Sequence, residues 1–317
     1  MSSPASYRRF VVLSLVFAVV GALAVPAAAN GAFDDDGSVH ESDINFIAAL
    51  GITQGCNPPD NDEYCPDDPV TREQMASFLR RTFDLPAGPD AFGDDDGSVH
   101  EDDINAIAAA GITFGCNPPQ NDEYCPTDPV TRAQMASFVV RAMGDVTSFN
   151  APIFDDAFRG EVHTADINAL AGLGITRGCN PPQNDEYCPH QAVTRAEMAS
   201  FLARTVRLGD ARPPDVEITS PEHLATIITQ ADPGAGTFAA DVTFVASATD
   251  PDGDAVTGYR WDSSVDGTLG MGNPLDATLT IPAGQTSSQP FISVVATDET
   301  GLFSGHEIQL KLILPSP

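Results

Sequence analysis

The chain has 317 residues, enough for two domains of ordinary size, and 42% of them are hydrophobic, which suffices for buried cores. Its 45 acidic side chains against 15 basic ones give a formal net charge of -30. Because that charge repels phosphate backbones and no basic stripe offsets it, nucleic acid is excluded as a partner. The same charge suits solubility, a salty medium or bound cations.

The chain begins with the pattern of a signal peptide. Arg8 and Arg9 form a positive region, an apolar run follows from Phe10 to Val25, and the alanines at 27–29 offer a small-residue cleavage site. The apolar run is short for a membrane span, and no stop-transfer pattern follows it. We therefore predict export, a signal peptide at 1–29 and no transmembrane segment in the rest of the chain.

Three internal repeats follow the predicted signal peptide. Each contains a loop bounded by cysteines, which reads GCNPPQNDEYCP at 115–126 and at 178–189 and differs by one residue at 55–66. A histidine stands sixteen residues before the first cysteine of each loop, and an arginine stands sixteen residues after it. This fixed spacing predicts one packed unit per repeat, at 30–86, 87–147 and 148–208.

Each repeat is predicted to fold as helix, loop and helix. The first helix has an apolar face, and a glycine follows it at the usual C-terminal position. Ser38-x-x-Glu41, which recurs in the second repeat, predicts a capping box at its start. The second helix opens with Thr-x-x-Gln or Thr-x-x-Glu, a further capping box. Its Met-x-x-Phe stripe cannot be buried by one repeat, so three copies predict a shared pseudo-threefold helical core.

The six cysteines predict three local disulfides. Each repeat has its own pair across the same loop, and the pairs are Cys56–Cys65, Cys116–Cys125 and Cys179–Cys188. Export makes disulfides expected, and each would close a loop of about ten residues, worth roughly 2–3 kcal/mol. The alternative is a zinc site, but eight intervening residues do not fit the usual Cys-x2-4-Cys spacing.

After Arg207 the sequence changes to short alternating apolar runs that are separated by turn residues. GDARPPD forms a linker at 209–215, and about seven short strands follow in 216–317. This pattern predicts a β-sandwich with Trp261 in its core. Three aspartates alternate at a strand end and would suit a Ca2+ site, with a solvated turn as the alternative. They are Asp250, Asp252 and Asp254.

One arginine opens the second helix of each repeat. Arginine holds a carboxylate through two parallel hydrogen bonds, and a helix N-terminus adds N–H donors beside the same anion. These arginines therefore suit either an acidic ligand or a bridge to an acid of the next repeat. They are Arg72, Arg132 and Arg195.

The repeats resemble the S-layer homology (SLH) family. The resemblance rests on an F-x-D start, a G-I-x-x-G turn, an aromatic-x-Pro after the loop and a T-R-A-E-like helix start, and it covers 33 to about 207. It implies a pseudo-threefold trefoil around a helical bundle. It also implies non-covalent anchoring to a cell-wall polymer, often an acidic or pyruvylated glycan, or to peptidoglycan. Beside the arginines, the implied glycan-binding positions are Asp35, Asp94, Asp156, Gly55, Gly115 and Gly178.

Two features depart from that family or suggest a metal. The histidines at 40, 100 and 163 stand where the family usually has a tryptophan. A metal site shared by these histidines is an alternative, although a pseudo-threefold axis need not bring them together. The stretch DDDGSVHEDD looks like a calcium loop, but aligning the EF-hand glycine on Gly97 puts Phe92 at the first ligand position, so that motif fails.

The tail resembles PKD-type or cadherin-like immunoglobulin folds in SATDPDGDAVTGYRWDSS and VVATDETG. We therefore expect a multidomain envelope-anchoring protein, in which a mainly α SLH trefoil displays an all-β sandwich. It would be a monomer at the cell wall or S-layer and would need no cofactor, with bound Ca2+ as the alternative. A structural S-layer subunit or a calcium-dependent adhesin is the alternative. An envelope hydrolase is least favoured because no G-x-S-x-G or H-E-x-x-H occurs.

Overall fold

The computed structural model describes residues 32–144, 146, 149–209, 211–232 and 237–315. The predicted signal peptide at 1–29 lies outside these residues. Within them, no helix combines the length and apolar character needed to cross a bilayer. Two separate hydrophobic cores form, one among the helices and one among the strands.

The helices described come in three pairs, one pair in each sequence repeat. The first helix of each pair has nine residues, and the second has 12 or 14. The helices are α1 (Glu41–Ala49), α2 (Arg72–Phe83), α3 (Glu101–Ala109), α4 (Arg132–Met143), α5 (Thr164–Gly172) and α6 (Arg195–Leu208).

The three pairs close into a ring. The second helix of each repeat packs on the first helix of another: α2 on α3, α4 on α5 and α6 on α1. At the centre, three fully buried valines exchange backbone hydrogen bonds in a cycle. Val130 donates to Val70, Val193 donates to Val130, and Val70 donates to Val193, each at 2.9 Å. The contacts between repeats therefore follow a threefold pattern.

Capping boxes start the second helix of each repeat, as the sequence predicts. In α2 the side chain of Thr71 accepts from the Gln74 N–H, and the side chain of Gln74 accepts from the Thr71 N–H. The same reciprocal pair starts α4 and α6. These caps satisfy donors that every helix leaves unpaired at its start.

The capping box predicted for the first helix is wrong. The residue before α1 is His40, and its side chain makes no capping hydrogen bond. Ser38 lies two positions before this N-cap, so its hydroxyl reaches only the N–H of His40, at 3.1 Å. The second repeat repeats this arrangement.

The strands follow the helices. They are β1 (Asp215–Ser220), β2 (Thr226–Ile228), β3 (Gln230–Asp232), β4 (Thr237–Thr249), β5 (Val256–Ser263), β6 (Gly267–Met271), β7 (Leu275–Ile281), β8 (Ser287–Ser288), β9 (Phe291–Asp298), β10 (Phe303–Gln309) and β11 (Lys311–Ile313). One sheet pairs β4 with β1, β3 and β7, and a second has the order β10-β9-β5-β6. Both are antiparallel. A small third sheet has the order β2-β11-β8.

The two larger sheets share one core. Phe244 on β4 and Trp261 on β5 are fully buried, and their ring centroids lie 5.4 Å apart. The indole N–H of Trp261 donates to the carbonyl of Gly272 at 2.9 Å, which satisfies the polar end of this buried side chain. The strands therefore form the predicted sandwich, and Trp261 lies in its core as predicted.

The sandwich rests on the third repeat. Phe303 at the start of β10 packs against the helical core. Arg159 forms an ion pair with Glu307, and its guanidinium lies 4.6 Å from the ring centroid of Phe291. Because polar and apolar contacts both cross this boundary, the connector at 209–214 does not act alone in setting the position of the sandwich.

Candidate functional site

The three predicted arginines lie at the junctions between repeats. The Nε of Arg72 donates to the carbonyl of Tyr124 at 2.6 Å, and its Nη2 donates to the carbonyl of Gly115 at 3.4 Å. Arg132 makes the same contacts with the third repeat, and Arg195 makes them with the first. All three side chains are at most 5% exposed. Each arginine therefore joins its own helix to the cysteine-bounded loop of another repeat.

The N–H groups at each helix start are used inside the protein. The N–H of Arg72 donates to the carbonyl of Asp128, and the N–H of Glu73 donates to the carbonyl of Pro126, both at 2.9 Å. The other two junctions have equivalent bonds. The expectation that these N–H groups face an external anion is therefore wrong, because the loop of another repeat has taken them. Only side-chain donors are left for a ligand.

Each guanidinium packs against two aromatic rings. The Cζ of Arg72 lies 4.6 Å from the ring centroid of Tyr124 and 5.5 Å from that of Phe138. The Tyr124 hydroxyl donates back to the Arg72 carbonyl at 2.7 Å. Burial raises the pKa of Tyr124 above its usual range and lowers the pKa of Arg72. These contacts hold the planar cation in one position at the junction.

The three junctions differ in charge. The Nη1 of Arg132 forms an ion pair with Glu197 at 3.1 Å. In the ion pairs of the described residues, Arg72 and Arg195 have no carboxylate partner. The residue equivalent to Glu197 is Gln134 in α4 and Gln74 in α2. Two junctions therefore carry a cation that forms no ion pair with the described residues, although carboxylates lie close enough to act on both charges.

The predicted aspartates hold the cysteine-bounded loops. Asp94 accepts from the N–H groups of Tyr124 and Cys125 through its two oxygens, each at 2.7 Å. The same pair of bonds is made by Asp35 in the first repeat and by Asp156 in the third. These carboxylates therefore have an internal role, and a direct glycan contact by them stays a prediction.

The predicted glycines permit a close approach within the same loop. Gly55 has a φ of 87°, and a Cβ there would lie 2.8 Å from the carbonyl oxygen of Glu63. The glycines at 115 and 178 have the same conformation, and each lies equally close to the carbonyl oxygen of the equivalent glutamate in its own loop. The carbonyl of Gly55 accepts from Arg195 at 3.1 Å. A side chain at this position would therefore move the acceptor that anchors the junction arginine.

The predicted disulfides are confirmed: Cys56–Cys65, Cys116–Cys125 and Cys179–Cys188 are bonded, each with Cα atoms 6.1 Å apart. Beside each bridge, the N–H of the first cysteine donates to a glutamate carbonyl at 2.8 Å. The cysteine pairs therefore clamp the loop whose carbonyls receive the arginine. The zinc alternative is wrong, because bonded sulfurs are not thiolate ligands.

The histidines of the repeats lie at three separate junctions. The Nδ1 of His100 lies 2.7 Å from the hydroxyl of Ser77, which donates its proton to Asp103. The other clusters are His163 with Ser137 and Asp166, and His40 with Ser200 and Asp43. A metal site shared by the three histidines is therefore contradicted. Sequence reasoning missed the serines, although their place in each M-A-S-F stretch was a usable signal.

These clusters have the residue types of a catalytic triad but not its geometry. A nucleophilic serine needs a histidine that accepts its proton. Here the hydroxyl proton of Ser77 goes to Asp103, so His100 must donate to the serine oxygen. Ser77 is also buried between the two helices that the cluster joins. The arrangement holds two helices together and supports no acyl transfer.

Two of the aspartates predicted for Ca2+ in the sandwich, Asp250 and Asp252, have side-chain partners within the protein. The Oδ1 of Asp250 accepts from the N–H groups of Asp252 and Asp254 at 2.8 and 3.1 Å. The side chain of Asp252 faces Arg212 in the connector, with 3.6 Å between charged atoms. In the described part of the chain, these three carboxylates do not form a compact metal-binding group. Ca2+ binding there stays a prediction.

Comparison with known proteins identifies part of the helical region. Residues 32–76 match the S-layer homology domain family. The chain is 28% identical over 214 residues to the S-layer protein sap of Bacillus anthracis, a match that covers 65% of this chain and 25% of that protein. It is 25% identical over 178 residues to a protein of the same organism that is named an uncharacterized cell wall amidase. That match covers 55% of this chain and 32% of that protein.

A solved structure is similar to the tail. The PKD1 domain of Vibrio anguillarum Epp is 14% identical, and the match covers 33% of this chain and all of that domain with a TM-score of 0.22. At that score the likeness adds nothing to the sandwich described above. The chain spans only about a quarter of the length of the S-layer proteins that it matches.

Proposed function

We propose that this protein anchors itself to the bacterial cell envelope by binding an acidic wall glycan at the junctions between its repeats. The match of 32–76 to the S-layer homology domain, together with similarity to Bacillus S-layer proteins, carries the proposal. On this view the ring of helices is a trefoil of three SLH repeats, with units at 30–86, 87–147 and 148–208. The sandwich at 216–317 is the module that the anchor displays at the cell surface.

The charge of the junctions supports an acidic ligand. In a chain with a net charge of -30, Arg72 and Arg195 are cations without a carboxylate partner among the described residues. Their Nε and Nη2 atoms hold loop carbonyls, so Nη1 is the donor that remains for a ligand. A glycan carboxylate or pyruvate group would take the place that Glu197 occupies beside Arg132.

The proposed glycan-binding role of Arg72 and Arg195 depends on contacts within the protein that fix the position of each guanidinium. The aromatic rings, the loop carbonyls and the disulfide hold each guanidinium in place before any ligand arrives. A preorganised cation loses little conformational entropy on binding, which favours affinity. Arg132 is the weakest of the three candidates because Glu197 already occupies its Nη1.

A structural S-layer subunit is the second candidate, because several of the relatives are named S-layer proteins. It requires lateral contacts between copies in addition to the wall contact. An enzyme is not proposed: the residues of the Ser-His-Asp clusters are committed to helix packing, and the amidase name belongs to a relative matched over 55% of this chain.

Co-sedimentation with cell walls tests the proposal. The full chain is mixed with walls of its host, either intact or chemically stripped of acidic polymers, and is then centrifuged. We expect the chain in the pellet with intact walls and in the supernatant with stripped walls. Equal sedimentation with both would assign the binding to peptidoglycan, and no sedimentation with either would refute anchoring. Ordered sheets formed without any wall would favour the S-layer subunit.

A further inference from the structure

A cluster of three carboxylates opens the second repeat. Asp90, Asp95 and Asp96 each offer one oxygen, and these oxygens lie within 4.8 Å of one another. The Asp95 side chain is 1% exposed, and neither of its oxygens has a hydrogen-bond partner. Asp90 and Asp96 are exposed. The cluster is therefore a buried, unpartnered carboxylate with two solvent-facing carboxylates beside it.

The charged groups that act on Asp95 among the described residues are carboxylates. Burial raises the pKa of Asp95, and an interaction with its own backbone opposes that shift in part. The nearby carboxylates of Glu101, Asp90 and Asp94 raise the pKa further. An ionised carboxylate without hydrogen bonds is costly to bury, and native proteins pair nearly all such groups. Like charges at this distance add to that cost. A bound cation would remove both penalties at once.

We propose that Asp90, Asp95 and Asp96 bind a Ca2+ ion at the entrance to the second repeat. Ca2+ takes carboxylate oxygens at about 2.3–2.6 Å, so two of its ligand oxygens can lie up to about 5 Å apart, which the spacing of the cluster respects. The exposed faces of Asp90 and Asp96 leave the remaining coordination positions to water. This site is distinct from the aspartates of the sandwich and from the junction arginines.

The other two repeats are natural comparisons for this site. Three residues after the phenylalanine that starts each repeat, the first has Asp36 and the third has Ala157, where the second has Asp95. Asp36 is 4% exposed and has one unpartnered oxygen, but the first repeat lacks the additional residue Asp96. Ala157 is 2% exposed. The position thus accepts alanine in the third repeat, and among the described residues only the second repeat brings three carboxylates together here.

The ion would fasten the connector between the first two repeats. Asp90 lies in that connector, and the N–H of the following residue, Ala91, donates to the side chain of Asn105 in α3 at 2.9 Å. Asp95 and Asp96 lie just before α3. Bridging the connector to this loop through Ca2+ would hold the entry of α3 in place. The expected effect of Ca2+ is therefore greater stability of the ring.

Calorimetric titration of the full chain with CaCl2 tests the proposal after the protein has been stripped with a chelator. The exposed pair is changed in Asp90→Asn with Asp96→Asn, which leaves the buried core intact, and Asp36→Asn serves as the matched control. We expect the double variant to lose one binding event that wild type and Asp36→Asn retain. Equal Ca2+ stoichiometry in all three proteins would overturn the proposal, and so would a wild type that takes up no Ca2+.

A second variant separates binding from folding. Asp95→Ala copies the residue of the third repeat, so the protein should fold. We expect its melting temperature in chelator to equal or exceed that of wild type, because a buried uncompensated charge has been removed. We also expect added Ca2+ to raise the melting temperature of wild type more than that of Asp95→Ala. The same Ca2+-dependent rise in both proteins would contradict the assignment of Asp95 as a ligand.

Discussion

At the residue scale, three histidines connect neighbouring repeats through hydrogen bonds. Each histidine at a first-helix N-cap contacts a serine from the second helix of another repeat. In the third repeat, burial lowers the pKa of His163, although the carboxylate of Asp166 opposes that shift. The lowered pKa favours the neutral form of His163, and a neutral ring that carries its proton on Nδ1 can donate to Ser137.

The lowered pKa of His163 makes the stability of the ring depend on pH. When the folded pKa of a histidine is below its unfolded value of about 6.5, the unfolded chain binds protons first as the pH falls. The contribution is present above pH 6.5 and is lost as the pH falls toward the folded pKa. We expect the urea midpoint to fall between pH 7.5 and pH 5, and less so in His163→Asn.

The matched control for that experiment is His190→Asn, because His190 is an exposed histidine of the same repeat. Its midpoint should follow the wild-type pH dependence. Comparing slopes rather than absolute midpoints removes the constant cost of losing the Ser137 contact. The same slope for His163→Asn and wild type would refute the role given to His163.

At the element scale, the packing of α5 against β10 distinguishes the third repeat from the other two. Gly172 in α5 faces the carbonyl of Phe303, and a methyl group there would overlap that oxygen. The equivalent residues in α1 and α3 are Ala49 and Ala109. Only the repeat that contacts the sandwich therefore has glycine at this helix position, where glycine is otherwise unfavourable by about 1 kcal/mol.

We expect Gly172→Ala to weaken the contact between helices and sandwich. Alanine should favour the helix itself, so a loss of stability would come from the overlap, at about 1–3 kcal/mol. Small-angle X-ray scattering should report a larger radius of gyration than for wild type. Ala49→Gly, at the exposed equivalent position in α1, should leave the radius unchanged. An unchanged radius and melting temperature for Gly172→Ala would show that this packing does not hold the sandwich.

Local patterns predicted the elements better than the contacts between them. The Thr-x-x-Gln spacing and the cysteine pairs act over nine residues or fewer, and they correctly gave the second-helix caps and the disulfides. The capping box predicted for the first helix failed because the helix starts two residues later than that box requires: its N-cap is His40 and not Ser38. Sequence spacing alone does not fix that start.

On the scale of the whole molecule, closure of the ring decides what each arginine can do. Arg195 contacts Tyr64, which lies 131 residues earlier in the chain. The sequence could place an arginine at each helix start but not the loop that takes its Nε and Nη2. Nor could it separate Arg132 from the other two, because that difference depends on Glu197 in another repeat. Contacts between distant parts of the chain therefore distinguish three arginines that look equivalent in the sequence. Arg132 has an ion-pair partner, whereas Arg72 and Arg195 have none among the described residues.

Carboxylates installed at the two open junctions test the glycan-binding role most directly. Gln74→Glu with Gln134→Glu would pair Arg195 and Arg72 as Glu197 pairs Arg132. The fold should persist, because Glu197 already caps its own helix through Thr194 at 2.9 Å. The reverse change, Glu197→Gln, should open the third junction. Gln285→Glu adds a charge at an exposed position of the sandwich and serves as the control.

The measurement is the affinity of each full-length variant for intact host walls, with helix content followed by circular dichroism. A charge-assisted hydrogen bond is worth roughly 1.5–3 kcal/mol, so losing it from a junction should weaken binding by about tenfold or more. We predict that loss for the double glutamate variant, tighter binding for Glu197→Gln and no change for Gln285→Glu. Wild-type affinity in a folded double glutamate variant would contradict the binding of a wall glycan by Arg72 and Arg195.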